Sequence, residues 1–404
     1  MSIKRTIVNI FPRSLILNIK YLYHTIDRLR RGKKKIECGK EIITISKKNT
    51  HVFFGYYDIT PFNIKTDEII YNNLVEKENK LHLIVSNLGN LKEFEIATTK
   101  AWNWQQGCRL RWMPNNNREI VFNDFDGKHY LARIINIDTK EERHIDAPLY
   151  DISPDGNYGL SIDFERLGNK RPGYGYTCRK YVESDHDLRE DSIDLIDLSS
   201  NTRHRILTYE EILCIPGCNT GNISNNYINH LCFSPSGKQF LFFWLTADNS
   251  WHKAFLLVHN LETKKTILLE GKDKVSHYVW IDEDNIICTA ANDDYKWHYY
   301  KYNVISGEKT VLNPEILFVD GHPSIFNQNS ILTDTYPDLK GFQRLYISNM
   351  KEGGYNKLLE IYSNCCIEGE KRTDLHPRLN KDHSIISFDS NHNLYRTLNF
   401  LILN

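Results

Sequence analysis

Four histidines stand at one recurring address in this chain. His230, His277, His322 and His376 each lie five residues before the turn residue of a repeated phrase, at Pro235, Asp282, Asn327 and Lys381. Earlier copies of the phrase place Tyr56, Arg109 and Leu149 at the same offset, before Pro61, Pro114 and Pro154. If the phrase is a structural repeat closed into a ring, equivalent positions converge and the imidazoles face one another. Neutral imidazole is the commonest protein ligand for first-row divalent metals, so the chemistry open to His230, His277, His322 and His376 is that of a divalent cation of manganese or zinc type. The structural alternative is a repeated histidine satisfied by hydrogen bonds inside its own unit.

Other polar and aromatic groups gather near the same address. Arg109 sits in "WNWQQGCRLRW" with Trp104 and Gln106, and Arg378 follows His376 in "DLHPR". Two arginines beside such a cluster suit a carboxylate or phosphate held bidentately. The phrase "FFGYYD" contributes Tyr56, Tyr57 and Asp58, and "TDTYPD" contributes Asp334 and Tyr336. Arg171, Tyr174 and Tyr176 come from "RPGYGY". We therefore expect catalytic roles at Tyr56, Tyr57, Asp58, Arg109 and Arg378, and substrate contacts at Trp104, Gln106, Arg171, Tyr174, Tyr176, Asp334 and Tyr336. No P-loop, dinucleotide-binding or nucleophile-elbow motif is present, and no HExxH.

The elements that must position these residues are legible in the spacing. Seven turn phrases recur at intervals of 53, 40, 81, 47, 45 and 54 residues. After each comes a second apolar strand, such as "QFLFFWL" (239–245), and then a hairpin such as "AFLLVHNLETKKTILL" (254–269). Apolar alternation on both sides of a short polar turn marks a β-hairpin. Four strands per unit at this period marks a propeller blade. The seventh unit runs out before its fourth strand, at 393–404, while "KEIITIS" (40–46) has no unit of its own. A ring is left without a free edge if that N-terminal strand completes the last blade. The expected fold is all-β, a seven-bladed β-propeller over 40–404, preceded by a separate segment at 1–39. The interval of 81 residues marks insertion loops within 165–226.

Composition narrows the function classes. Lys plus Arg number 51 against 51 Asp plus Glu, and this zero balance argues against nucleic acid as a partner. Nine cysteines without regular spacing or a CxxC pair fit a reducing cytoplasm better than a disulfide framework. Residues 1–35 hold apolar stretches, but Pro12, Arg13, Asn18 and Lys20 interrupt them, so neither a signal peptide nor a spanning helix is expected. Leu15, Ile16, Ile19, Leu22, Tyr23 and Ile26 fall near helical spacing and are followed by Arg28, Arg30, Arg31, Lys33, Lys34 and Lys35. That basic amphipathic pattern predicts a short helix in contact with the inner face of the cell membrane.

The phrases "FGYYDITPF", "AWNWQQGCRL", "RPGYGY", "NHLCFSPSG", "DGHPS", "TDTYPD" and "DLHPR", on a seven-bladed ring with inward histidines, resemble propellers of the oligogalacturonate lyase type. They look closer still to propeller proteins encoded with bacterial surface-polysaccharide genes, which are often labelled glycosyltransferases. The resemblance extends over nearly everything after residue 40. It implies a cytosolic, metal-dependent enzyme that cleaves acidic sugars by β-elimination. It also implies a metal site at His322 and His376, with His230 and His277 beside them. One departure is visible: the lyases place a glutamine and two closely spaced histidines in one loop, whereas "DLHPRLNKDH" offers His376 and His383. Three functions are therefore expected in order: lyase-type cleavage of a uronate-containing glycan, glycosyl transfer in surface-polysaccharide assembly, and glycan binding without turnover. All three share an acidic oligosaccharide or lipid-linked glycan as ligand.

Overall fold

The hairpins of the sequence become paired strands in the computed structural model, which describes residues 12–183, 191–247, 253–272, 274–292, 296–351 and 353–403. Seven antiparallel sheets follow one another along the chain, at 51–99, 111–145, 151–208, 226–270, 274–312, 324–362 and 378–402. Each runs in sequence order from an inner strand outward, so the expected seven-bladed propeller is present.

Local chemistry explains the regularity. The third and fourth strands of five blades are joined by the same turn. Asn87, Asn136, Asp197, Asn260 and Asn303 each accept, through a side-chain oxygen, the backbone N–H groups two and three residues on. Such Asx turns compete well with extended backbone and end a strand. The residue four places on then takes positive φ: Leu91 (54°), Lys140 (65°), Asn201 (57°), Lys264 (56°) and Gly307 (73°).

Two short N-terminal strands join the last two blades, and one of them closes the ring. Strand β1 (Ile36–Cys38) and strand β2 (Ile42–Ile45) follow helix α1 (Arg13–Arg30). Strand β2 pairs with Thr397–Ile402, aligning Ile42 with Leu401 and Ile45 with Leu398, and so supplies the missing outer strand of the seventh blade. Strand β1 was not anticipated. It adds a fifth strand to the sixth blade, Ile36 opposite Ile361. A three-residue strand carries too little alternation to register in a sequence.

The stretch 165–226 is two excursions separated by the outer hairpin of the third blade, Ser192–Asp197 with Thr202–Thr208. The first carries helix α2 (Phe164–Lys170), capped by the Asp163 carboxylate, which accepts from the N–H groups of Glu165 and Arg166. The second carries helix α3 (Tyr209–Cys214), opened by a Thr208–Glu211 capping box. All nine cysteines are free. Among the described residues no helix is long and apolar enough to cross a membrane. The apolar stretch at 7–11 lies outside the described residues.

Closure predicts a stability effect. Phe400, paired with Ile43 of β2, is fully buried with its ring 5.7 Å from Phe62 of the first blade. Phe400→Ala should lower unfolding free energy by about 3–5 kcal/mol in a denaturant titration. A loss below about 1 kcal/mol would mean that this joint is not tightly packed.

Candidate functional site

The inner strands deliver their histidines by local distortion. His230 and His376 adopt φ of 54° and 47°, a region that non-glycine residues seldom occupy. The pairing register shifts between Asn229 and Cys232, and again between Val275 and Tyr278. Each irregularity falls on a histidine and turns its ring out of the ladder toward the axis. The result is the expected convergence. The His277 and His322 ring centres are 4.0 Å apart, and those of His322 and His376 are 4.4 Å apart. Tyr56 lies 5.2 Å from His230 and 4.9 Å from His376, while Tyr57 lies 5.1 Å from His322.

The hydrogen bonds decide what these rings can do. His376 Nδ1 is 2.9 Å from the Gly55 carbonyl, which only accepts, so Nδ1 carries the proton and Nε2 keeps its lone pair. His322 Nδ1 faces both oxygens of Asp334 at 2.9 and 3.0 Å. His277 Nδ1 is 3.1 Å from Asp320. Among the described residues, the Nε2 atoms of His322 and His376 are buried without a partner, and so are both nitrogens of His230. Buried unpaired nitrogens are costly and uncommon. A fixed Nδ1 with a free Nε2 is how a metal-ligating histidine is held. The ligand atoms of His322, His376 and Asp374 all lie within 4.8 Å of one another, so these residues fit a divalent cation.

Electrostatics separate the four imidazoles. Burial pushes His230 down to about 3 against the opposing pull of the Asp58 carboxylate, and burial also lowers His277 and, further, His376. Burial opposes the charged form of His322 as well, but Asp334 overrides it and raises that ring. A bound cation would take the place of that proton. Asp334 also accepts the backbone N–H groups of His322 (2.8 Å) and His376 (3.2 Å). One carboxylate therefore positions two candidate ligands, rather than touching substrate as expected.

A cap lies over the cluster. After helix α2 the "RPGYGY" segment brings Tyr174 to 6.2 Å from Tyr56. Its path is held by Asn103, which donates to the Tyr174 carbonyl at 2.9 Å, and by the Gln105 N–H, which donates to Gly173 at 3.1 Å. A Cβ on Gly175 would come 2.2 Å from the Phe164 carbonyl, so the crossing with α2 requires glycine. Arg171 stacks on Tyr174 at 4.3 Å, and its main electrostatic neighbours are Tyr174, Tyr227, Tyr56 and Arg372, none of them a carboxylate. Arg372 donates to the Tyr174 hydroxyl at 2.9 Å and to Asp374 at 3.1 Å. Tyr336 stands 5.8 Å from His322.

Several expected site residues belong elsewhere. Arg109 is buried in a bidentate pair with Asp58 at 3.0 and 2.9 Å, and its Nε donates to the Tyr150 carbonyl. Arg378 is buried against Asp389 at 2.7 Å and also donates to the carbonyls of Gly55 and Tyr56. Arg109, Asp58 and Arg378 thus form internal ion pairs, because an unpaired charge at such depth would be prohibitively desolvated. The Tyr57 hydroxyl donates to the Tyr278 carbonyl at 2.8 Å and accepts from the Tyr278 N–H at 2.9 Å. Tyr176 is core, stacked 4.5 Å from Phe164 with its hydroxyl accepting from Asn123. Gln106 donates to the Tyr150 hydroxyl at 2.7 Å, and that hydroxyl also accepts the His230 N–H at 2.9 Å. Trp104 faces a separate cleft of about 870 Å³, shared with Trp102, Asp124 and Glu370. Asp374, Arg372 and Asp320 were not singled out from the sequence. Asp374 stands two residues before His376 in "DLHPR", which is the one signal that pointed to it.

The sequence matches no protein-family model and no curated protein. Solved structures do match. An oligogalacturonate lyase in complex with manganese aligns with TM-score 0.68 at 13% identity, covering 91% of this chain and 94% of that one. The chain has the seven-bladed propeller fold of that lyase. A second oligogalacturonate lyase, from Vibrio parahaemolyticus, aligns with TM-score 0.64 at 12% identity over 91% of this chain and 98% of that one. The tricorn protease also aligns, with TM-score 0.54 at 9% identity over 88% of this chain and 33% of that one. A propeller shared with a protease shows that the likeness fixes architecture, while function must be argued from the site.

Two outcomes follow. Protein equilibrated with Mn²⁺ or Zn²⁺ and desalted should retain about one ion per chain, and the His322→Ala/His376→Ala double variant should retain none. Equal metal content in both would refute the centre. Arg109→Ala should act on stability instead, lowering it by about 3–5 kcal/mol at neutral pH because Asp58 is left buried and unpaired. Burial raises the Asp58 carboxyl, but Arg109, together with His230 and Arg111, more than offsets it and the net shift is downward. The contribution of the pair is therefore present above the ordinary carboxylate value of about 3.9 and is lost as pH falls through the depressed one. Denaturation curves at several pH values would check this, and an Arg109→Ala variant as stable as the wild type would overturn it.

Proposed function

We propose that the protein cleaves an acidic, uronate-containing glycan by β-elimination, with a divalent cation held by His322, His376 and Asp374. The observation that carries this reading is the pair of buried, unpartnered Nε2 atoms on anchored histidines, in a funnel capped by two arginines. When bound, the cation would neutralise the uronate carboxylate and so acidify the proton at the neighbouring ring carbon. Arg171 and Arg372 orient the acidic sugar under the Tyr174 cap.

The proton inventory suits elimination. A base takes the C5 proton, the freed electron pair forms the C4–C5 double bond, and the C4–O bond breaks with protonation of the leaving oxygen. His230 is the base. Burial keeps its imidazole neutral, and neither nitrogen is committed to a hydrogen bond. Tyr56 is the acid. Burial first, then Tyr174, holds its phenol well above the ordinary value, so the hydroxyl has a proton to give. Tyr57, with its hydroxyl occupied at both ends, is a structural neighbour. The ligand class is an acidic oligosaccharide, free or lipid-linked.

Incubation with uronate oligosaccharides should generate the ultraviolet absorbance of a conjugated unsaturated uronate, abolished by chelation. His230→Ala and Tyr56→Phe should each lower kcat by about 100-fold or more with metal content unchanged. Release of a nucleoside diphosphate from a sugar donor, without unsaturated product, would replace this reading by glycosyl transfer. Metal-independent glycan binding without turnover would replace it by a binding module.

A further inference from the structure

Among the described residues, helix α1 packs one face on the propeller and leaves an apolar face uncovered. Its inward face is set by His24, which is buried, and by Tyr21. These rings lie 6.0 and 6.4 Å from Tyr362. Arg13 pairs with Glu368, and Cys366 Sγ lies 3.8 Å from the Leu17 carbonyl. The outward face carries Leu15, Ile19, Leu22, Ile26 and Leu29, exposed by 43, 59, 58, 42 and 65%. At 3.6 residues per turn these five fall on one stripe, roughly opposite His24. Tyr23 (61% exposed) borders the stripe, and Leu339 (90% exposed) lies in the connection that His24 packs against. A monomeric domain rarely leaves such a continuous apolar row open to water.

Among the described residues, the charges near the stripe that lack an ion-pair partner are of one sign. Lys20, Arg30 and Lys34 are exposed, and among the described residues none of them has an acidic partner. The two acids near them, Asp27 and Glu37, already face Arg31 and Lys33. Helix α1 also sits at a telling place. The connection 363–377 that receives Arg13 and Leu17 goes on to carry Arg372, Asp374 and His376, and the connection 335–341 beside His24 carries Tyr336. The helix therefore lies at the end of the ring where the histidines converge.

We infer that the outward stripe of α1 seats in the interface of an anionic lipid bilayer and holds the funnel end of the propeller toward it. Leu15, Ile19, Leu22, Ile26 and Leu29 enter the acyl boundary, while Lys20, Arg30 and Lys34 meet acidic headgroups. The in-plane orientation follows from the docking of α1 against the sixth blade, which leaves the stripe facing away from the protein along the length of the helix. This stands whatever chemistry the histidines perform.

Co-sedimentation of the full chain with vesicles tests it, comparing phosphatidylcholine alone with a mixture containing about 30% phosphatidylglycerol. The bound fraction should be about tenfold higher on the anionic vesicles and fall with added salt. Leu22→Glu/Ile26→Glu should abolish binding, and Lys20→Glu/Arg30→Glu should abolish the preference for anionic lipid. All these side chains are exposed, so unchanged circular dichroism and thermal midpoint are expected for both variants. Wild-type protein remaining in the supernatant with anionic vesicles, or binding unchanged in Leu22→Glu/Ile26→Glu, would overturn the inference. So would a wild-type dimer by light scattering that becomes monomeric in Leu22→Glu/Ile26→Glu while neither binds lipid. In that case the stripe pairs two chains.

Discussion

Ring closure is the constraint on which the rest depends. Seven inner strands aim at one axis only while the seventh blade is held to the first, and the hydrogen bonds between β2 and Thr397–Ile402 hold it. With β2 in place the sheet of the seventh blade has its fourth strand, and the ring presents no open seam between its ends. Residues nearly 150 positions apart, such as His230 and His376, then lie around the same tyrosine. The funnel is thus a property of the closed ring, since no single blade contains it.

Burial sets the chemistry inside that ring. The histidine layer is buried, so each polar group there is either paired or conspicuous for being unpaired. Arg109 with Asp58 and Arg378 with Asp389 are paired, and these cations are consumed in holding inner strands and backbone carbonyls. Asp334 is committed to His322 Nδ1 and to two backbone N–H groups. The Nε2 atoms of His322 and His376 and both nitrogens of His230 stand out against this background. One carboxylate placed among four imidazoles raises His322 while burial lowers the other three, so equivalent positions of a repeat acquire unequal chemistry.

The additions to the repeat sit at the same end as the histidines. Helix α2 and the glycine-bounded Tyr174 turn cap the cluster, and the 363–377 connection ties the cluster to α1. A propeller is a symmetric scaffold, and these asymmetric segments are where its blades cease to be interchangeable. A lyase and a protease share the fold, so the architecture does not by itself specify chemistry.

The residue pattern by itself determined the blade count, the closing strand and the shared address of the four histidines, because hairpin alternation and turn chemistry are local and repeat at a readable period. It also marked α1 as amphipathic, from Leu15, Ile19, Leu22 and Ile26 at helical spacing. It did not separate Arg109 and Arg378, which sit in internal ion pairs, from Arg171 and Arg372, which line the cap, since an arginine reads the same in either place. Asp374 and Asp320 were passed over because a carboxylate becomes a ligand or an anchor only through neighbours brought in from other parts of the chain. Strand β1 was too short to see. Only the tertiary structure decided which nitrogens are left without partners, which face of α1 is covered, and which charges oppose one another. Those depend on distances across the ring, and the order of residues along the chain does not contain them.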